Sequence, residues 1–146
     1  MNKKTTSLLT FLLLLGWLIC PALADDSAEY KVLNKGSEGQ KFTVADHLVK
    51  GKTNVIDFYS EYCPPCRAVA PMLEKLAKKD PDVVVGKLDI NRPDKRGIDW
   101  RSPLAQQYKL RSIPHFKIYD GSGKLVAEGQ EAKQKLIELL KKNDIQ

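Results

Sequence analysis

The run Asn54-Val55-Ile56-Asp57-Phe58-Tyr59 leads directly into Cys63-Pro64-Pro65-Cys66. Its β-branched and aromatic composition predicts a strand buried on both faces. Beyond the cysteines, Val69, Met72, Leu73, Leu76 and Ala77 recur at helical intervals as far as Lys79, with Pro71 inside the pattern, where it removes a hydrogen bond and is expected to kink the helix. A strand that passes straight into a helix at a cysteine pair is a strong constraint. It puts the first cysteine at a helix N-terminus, where unpaired N–H groups and the positive end of the helix dipole favour negative charge.

The rest of the chain supplies partners for that unit. A possible short strand lies near Tyr30 to Leu33, and a short helix is expected over about 43–50, from Val44, His47, Leu48 and Val49 with Gly51 as a stop. Pro81-Asp82 ends the long helix, and Val83 to Ile90 is the next strand. A charged segment, Asn91 to Ser102, precedes a short helix suggested by Leu104, Ala105, Tyr108 and Leu110. Phe116 to Tyr119 and Lys124 to Glu128 read as a hairpin about Asp120-Gly121-Ser122-Gly123, and Leu136, Ile137, Leu139 and Leu140 as the apolar face of a last helix. The alternating first half implies a parallel βαβ unit and the hairpin adds antiparallel strands. The fold class is α/β, a mixed central β-sheet flanked by helices.

Lys3 and Lys4, an apolar stretch of about 12 residues and the small-residue site Pro21-Ala22-Leu23-Ala24 have the layout of a secretory signal peptide. Residues 1–24 are assigned to it, 25–41 to a polar lead-in and 42–146 to the folded domain. The apolar stretch is short of the ~20 residues that a membrane-spanning helix needs, which disfavours a retained anchor. Cys20, preceded by Ile19, Leu18 and Trp17, does not have the small neighbours of a lipidated cysteine. The basic start and small size point to a bacterial exported protein, with the periplasm as its location. The chain has 24 Lys and Arg against 18 Asp and Glu, net +6; without Lys3 and Lys4 the balance is 22 against 18, or +4. Its charges are interspersed, so nothing calls for nucleic acid.

Cleavage after Ala24 would leave Cys63 and Cys66 as the remaining cysteines of the three. A disulfide across so short a loop removes little entropy from the unfolded chain, so the pair is more useful as chemistry than as a staple. Cys63, with its pKa lowered from about 8.5, would be the attacking nucleophile. Cys66, one turn inside, would resolve a mixed disulfide. The competing reading is structural zinc, but Cys-x-x-Cys is half a tetrahedral site, and His47, His115, Met72 and Met1 are the remaining candidate ligands of note. Pro64 and Pro65 remove two N–H donors that could face the sulfur, leaving Cys66 N–H as the nearest. That should stabilise the thiolate less and push the pair toward reducing behaviour.

Together these residues resemble the thioredoxin family. Val55 to Arg67 is similar to the family's strand, active site and helix start, with Pro71 at its helix-kink position; Leu110-Arg111-Ser112-Ile113-Pro114 is similar to the segment carrying its cis-proline. Gly123 and Gly129 fall where the family places glycines around its last hairpin. The resemblance covers about residues 42–143 and implies a thioredoxin fold. It also implies a redox-active Cys63–Cys66 disulfide, Asp57 as a buried proton relay for Cys66, Lys87 as the lysine paired with that acid, and Pro114 as the cis-proline beside the disulfide. Tyr62, Pro64, Pro65, Ile113, Pro114 and His115 would then form the substrate-binding surface. Burial of a carboxyl in an apolar strand independently argues for a raised Asp57 pKa.

The chain departs from the family in having Tyr62 where tryptophan is usual, His115 after the proline where threonine is frequent, and a longer connection over 91–102 that carries Trp100. Trp100 could anchor a partner or fold back over the sheet edge. The expected function is thiol-disulfide exchange with protein substrates, in the reducing direction, by a monomer with no cofactor and no metal beyond its own disulfide. The chain leaves little room for the helical insertion of periplasmic disulfide oxidases of related fold, and a reductant in an oxidising compartment would need a membrane donor of electrons. Alternatives are a copper-handling module using Cys63, Cys66 and His115, and a redox-silent chaperone.

Overall fold

A computed structural model describes residues 30–146; the leader assigned to residues 1–24, with Cys20, lies outside the described residues. The elements are β1 (Tyr30–Val32), a 3-10 turn (Val44–His47), β2 (Thr53–Tyr59), α1 (Pro64–Lys79), β3 (Val83–Asp89), α2 (Pro103–Gln107), β4 (His115–Tyr119), β5 (Leu125–Glu128) and α3 (Gln130–Lys142). Five strands form one sheet in the order β1-β3-β2-β4-β5. β1 and β2 run parallel to β3, while β4 is antiparallel to β2 and β5 to β4. This is the mixed sheet flanked by helices that the alternation of periods predicts.

β2 is central because its sequence can be buried on both faces. Val55 and Ile56 point to opposite sides of the pleat and each is almost wholly buried. Val55 belongs to a core with Leu73, Leu76 and Ala77 of α1, Phe116 and Ile118 of β4, and Ala132, Leu136 and Leu140 of α3. Ile56 and Phe58 belong to the other core, with Val44, Leu88, Ile90, Leu104, Ala105 and Leu110. α1 is one continuous helix through Pro71.

Two local expectations change, and the possible strand near Tyr30 is found as β1. The helix foreseen over 43–50 is the single 3-10 turn, because the side chain of buried Asn54 takes the backbone groups that would have extended it. Its Oδ1 accepts the Val49 N–H at 2.8 Å, and its Nδ2 donates to the Val49 and Lys52 carbonyls at 3.0 and 2.9 Å. In α3 the buried stripe is Ala132, Leu136 and Leu140, whereas Ile137 faces solvent. The polar segment before residue 42 packs on the sheet from Tyr30 onward: Asn34 Nδ2 donates to the Asp89 carbonyl at 2.8 Å and its Oδ1 accepts the Asp89 N–H at 3.0 Å. Buried Asn34 thus extends the docking that β1 begins by pairing with β3.

Removing both of those hydrogen bonds strips the Asp89 N–H of its partner in a buried position, while the Asp89 carbonyl keeps the Gly39 N–H at 3.0 Å. Asn34→Ala is therefore expected to lower the free energy of unfolding by about 2–3 kcal/mol in urea titration, against under about 0.5 kcal/mol for an exposed control such as Lys35→Ala.

Candidate active site

β2 ends at Tyr59 and the chain turns sharply to reach α1. Ser60, fully buried, shapes the turn: its Oγ accepts the Tyr62 N–H at 3.1 Å and its carbonyl accepts the Cys63 N–H at 3.1 Å. Cys63 is the N-cap of α1, with Pro64 and Pro65 at the first helical positions. The cysteines form a disulfide with Cα atoms 5.3 Å apart. Cys66 N–H donates to Cys63 Sγ at 3.2 Å, and the prolines have no N–H to add. Both cysteines are buried, while Tyr62, Pro64 and Pro65 stand exposed around them. Arg67 Nη1 donates to the Glu61 carbonyl at 2.6 Å and ties the turn to the helix.

The segment before β4 closes the site. The Ile113–Pro114 bond is cis, and the Ile113 carbonyl oxygen lies 3.7 Å from Cys63 Sγ. Ile113 and Pro114 are half-buried, so the structure brings Tyr62, Pro64, Pro65, Ile113 and Pro114 around one disulfide.

Asp57 lies on the β2 face shared with Val55, the face that α1 covers. It is fully buried, and neither carboxylate oxygen has a hydrogen-bond partner among the described residues. Burial pushes its pKa from 3.8 up to about 7, against the opposing pull of Lys87. Lys87 is the direct β3 neighbour of Asp57 in the ladder, but it forms no ion pair with the acid. Its ammonium sits 3.9 Å from the centre of the Tyr59 ring and 5.5 Å from that of Tyr30. The expected pairing is thus replaced by cation–π contacts, and Lys87 acts on Asp57 as a neighbouring charge. Tyr59, which the sequence marked only as a core or sheet-face aromatic, has a place here. Period-two alternation puts it on the face of Asp57, and that signal was available.

His115 faces the other side of the sheet from Asp57. It is paired with Phe58 in the ladder and meets that ring edge-on at 5.9 Å, on the face opposite Asp57. Its Nε2 lies 3.2 Å from Glu128 Oε1, which also meets Lys117 Nζ at 3.1 Å. Burial acts to raise the Glu128 pKa, and the two partners hold it below the usual value. The strand alternation that starts at residue 115 sets this facing. Among the described residues no group of three or more His, Cys, Asp or Glu side chains could hold a metal ion.

Two outcomes follow. Asp57 holds its proton in the folded state to about pH 7, whereas the unfolded chain releases it near 3.8, so stability falls as pH rises through that window. Asp57→Asn should flatten this dependence and be more stable than the parent at pH 8 by on the order of 3 kcal/mol in denaturant titrations. Pro65→Ala restores an N–H donor at the helix start, and the ultraviolet thiolate absorbance of the reduced protein should titrate at lower pH than in the parent.

The chain is similar to known proteins. The Thioredoxin family profile matches residues 37–142. The thioredoxin of Chlamydia pneumoniae is 32% identical over 99 residues, which are 67% of this chain and 89% of that protein. A chloroplastic F-type thioredoxin of Mesembryanthemum crystallinum is 43% identical over 82 residues, 56% of this chain and 39% of that protein, so the chain spans about two fifths of that relative's length. The solution structure of oxidised thioredoxin from Plasmodium falciparum superimposes with a TM-score of 0.50 at 25% identity, covering 71% of this chain and 92% of that one. With its cysteine pair at the strand-to-helix junction and its cis-proline opposite, the chain belongs to the thioredoxin family.

Proposed function

We propose that this protein exchanges thiols and disulfides with client proteins and acts as a reductant. The observation that carries the reading is the juxtaposition of three features: a disulfide at a helix N-terminus, the Ile113 carbonyl beside its first sulfur, and a buried carboxyl with a pKa of about 7 on the sheet face beneath the helix. In the reduced protein the Cys63 thiolate attacks one sulfur of a client disulfide. A bond forms between Cys63 and that sulfur, the client S–S bond breaks, and the other client sulfur leaves as a thiolate. Cys66 then gives its proton to the Asp57 carboxylate and attacks Cys63. The Cys63–Cys66 disulfide forms, the client departs with its second thiol, and two electrons have passed to it.

The direction rests on Cys63. Only Cys66 N–H faces its sulfur, so the helix stabilises the thiolate less than a proline-free spacer would, which favours giving electrons away. The basic, apolar and small-residue pattern at the front supports export to the periplasm, where the oxidised pair would have to be recharged by a membrane donor. Work as a monomer without a cofactor completes the proposal. A copper-handling role would need His115 near the sulfurs, and its contact with Glu128 gives that reading no geometric support.

Cys66→Ser should accumulate a mixed disulfide with a disulfide-bonded client such as insulin, visible as a thiol-sensitive adduct, and Cys63→Ser should form none. Asp57→Asn should slow insulin reduction on the order of tenfold or more and remove the inflection near pH 7 from its rate profile. Adducts at Cys66 in the Cys63→Ser protein, or a client phenotype indifferent to both cysteines, would contradict the reading, the second in favour of a chaperone.

A further inference from the structure

The connection over 91–102 is a built element. Asn91 and Asp99 are buried within it, and Arg92 grips Asp99 through Nε and Nη2 at 2.7 and 3.2 Å. It delivers Trp100 to the surface with 37% of its area exposed, and the Trp100 carbonyl accepts from Gln106 Nε2 at 2.7 Å. Between this loop and α2 lies a cleft of about 510 Å³ lined by Trp100, Ala105, Gln106, Lys109, Leu110 and Arg111. No acidic residue lines it, and the side chains of Lys109 and Arg111 make no hydrogen bond or ion pair among the described residues.

Lys109 is held against its backbone preference. Its φ is 51°, in the left-handed region, and it closes α2 with Leu110 N–H donating to the Ala105 carbonyl at 2.9 Å. Glycine is the residue that suits such a position. Asp144 closes α3 in the same way, but its carboxylate has Lys79 Nζ at 3.9 Å, whereas the Lys109 ammonium has no partner among the described residues. The cleft is linked to the active site along the chain. Arg111 is two residues from Ile113, whose carbonyl touches Cys63 Sγ, so their Cα atoms are within about 7 Å.

We propose that the cleft beside Trp100 docks an acidic, extended segment of the client that flanks its disulfide, with Lys109 and Arg111 pairing to its carboxylates and Trp100 packing on its backbone and apolar side chains. This rests on the exchange reading above and adds a specificity to it. Clients would be selected by carboxylates a few residues from the reacting cysteine, and the selection would weaken with salt as the exposed cations are screened.

The test compares two synthetic peptides with the same disulfide, one flanked by Asp and Glu and one by Lys, as substrates of the reduced protein. For the parent, kcat/KM should favour the acidic peptide by about fivefold or more at low salt and by much less at high salt. In Lys109→Gly/Arg111→Gln the ratio should fall to near one; Lys109→Gly relaxes the backbone, so thermal melting should show no loss of fold. Equal kcat/KM for both peptides in the parent, or a preference that survives the double substitution, overturns the docking site. Binding to anionic phospholipid vesicles that is lost in the double variant, with peptide selectivity unchanged, overturns it in favour of a membrane surface. Reduction of neither peptide overturns instead the exchange reading on which it rests.

Discussion

Among the described residues Asp57 finds no hydrogen-bond partner, yet it sits in a strand buried on both faces, and the site is organised around that cost. β2 can carry Asp57 because the strand is paired on both sides and both faces are covered by apolar cores. Burial that complete holds the carboxyl protonated up to about pH 7, and it contributes nothing to packing that an apolar residue would not do better. A group kept at the expense of stability, one strand-length from a cysteine pair, is better explained by the proton it can exchange than by the fold it supports.

The same strand sets the geometry of the sulfurs. Because β2 runs directly into α1 through the Ser60 turn, Cys63 caps the helix and Cys66 lies one turn behind it, on the side from which the Ile113 segment closes. The helix field and the prolines then act in opposite senses on Cys63. The dipole draws charge onto the sulfur, and Pro64 and Pro65 withhold two of the donors that would complete the effect. Lys87 is likewise divided, lowering the pKa of Asp57 from a distance while its ammonium rests on Tyr59. Intermediate settings of this kind suit a pair that must form and break bonds in both halves of a cycle.

Much of this was legible in the residues. The apolar run into Cys63 predicts the strand-to-helix junction, the alternation of periods predicts the mixed sheet, and an acid inside Val-Ile-Asp-Phe predicts a perturbed carboxyl. Features made by single polar side chains were not. Asn54 converts an expected helix into one turn, and Asn34 adds two hydrogen bonds to Asp89 just beyond the short strand expected near Tyr30. The place of His115 turns on one strand boundary: with β4 starting at residue 115, its side chain falls on the Phe58 face, a parity that spacing alone does not reveal. Tyr59 and Lys87 needed the parallel register of β2 and β3 before their contact could be seen.

The central claim is that this pair gives electrons rather than takes them, and the most direct measurement is its reduction potential, from equilibration of the protein with glutathione or dithiothreitol buffers. The single N–H at Cys63 predicts a value near about −270 mV, in the range of reducing thioredoxins. A value near about −120 mV, that of a strong oxidant with a stabilised thiolate, would contradict the account.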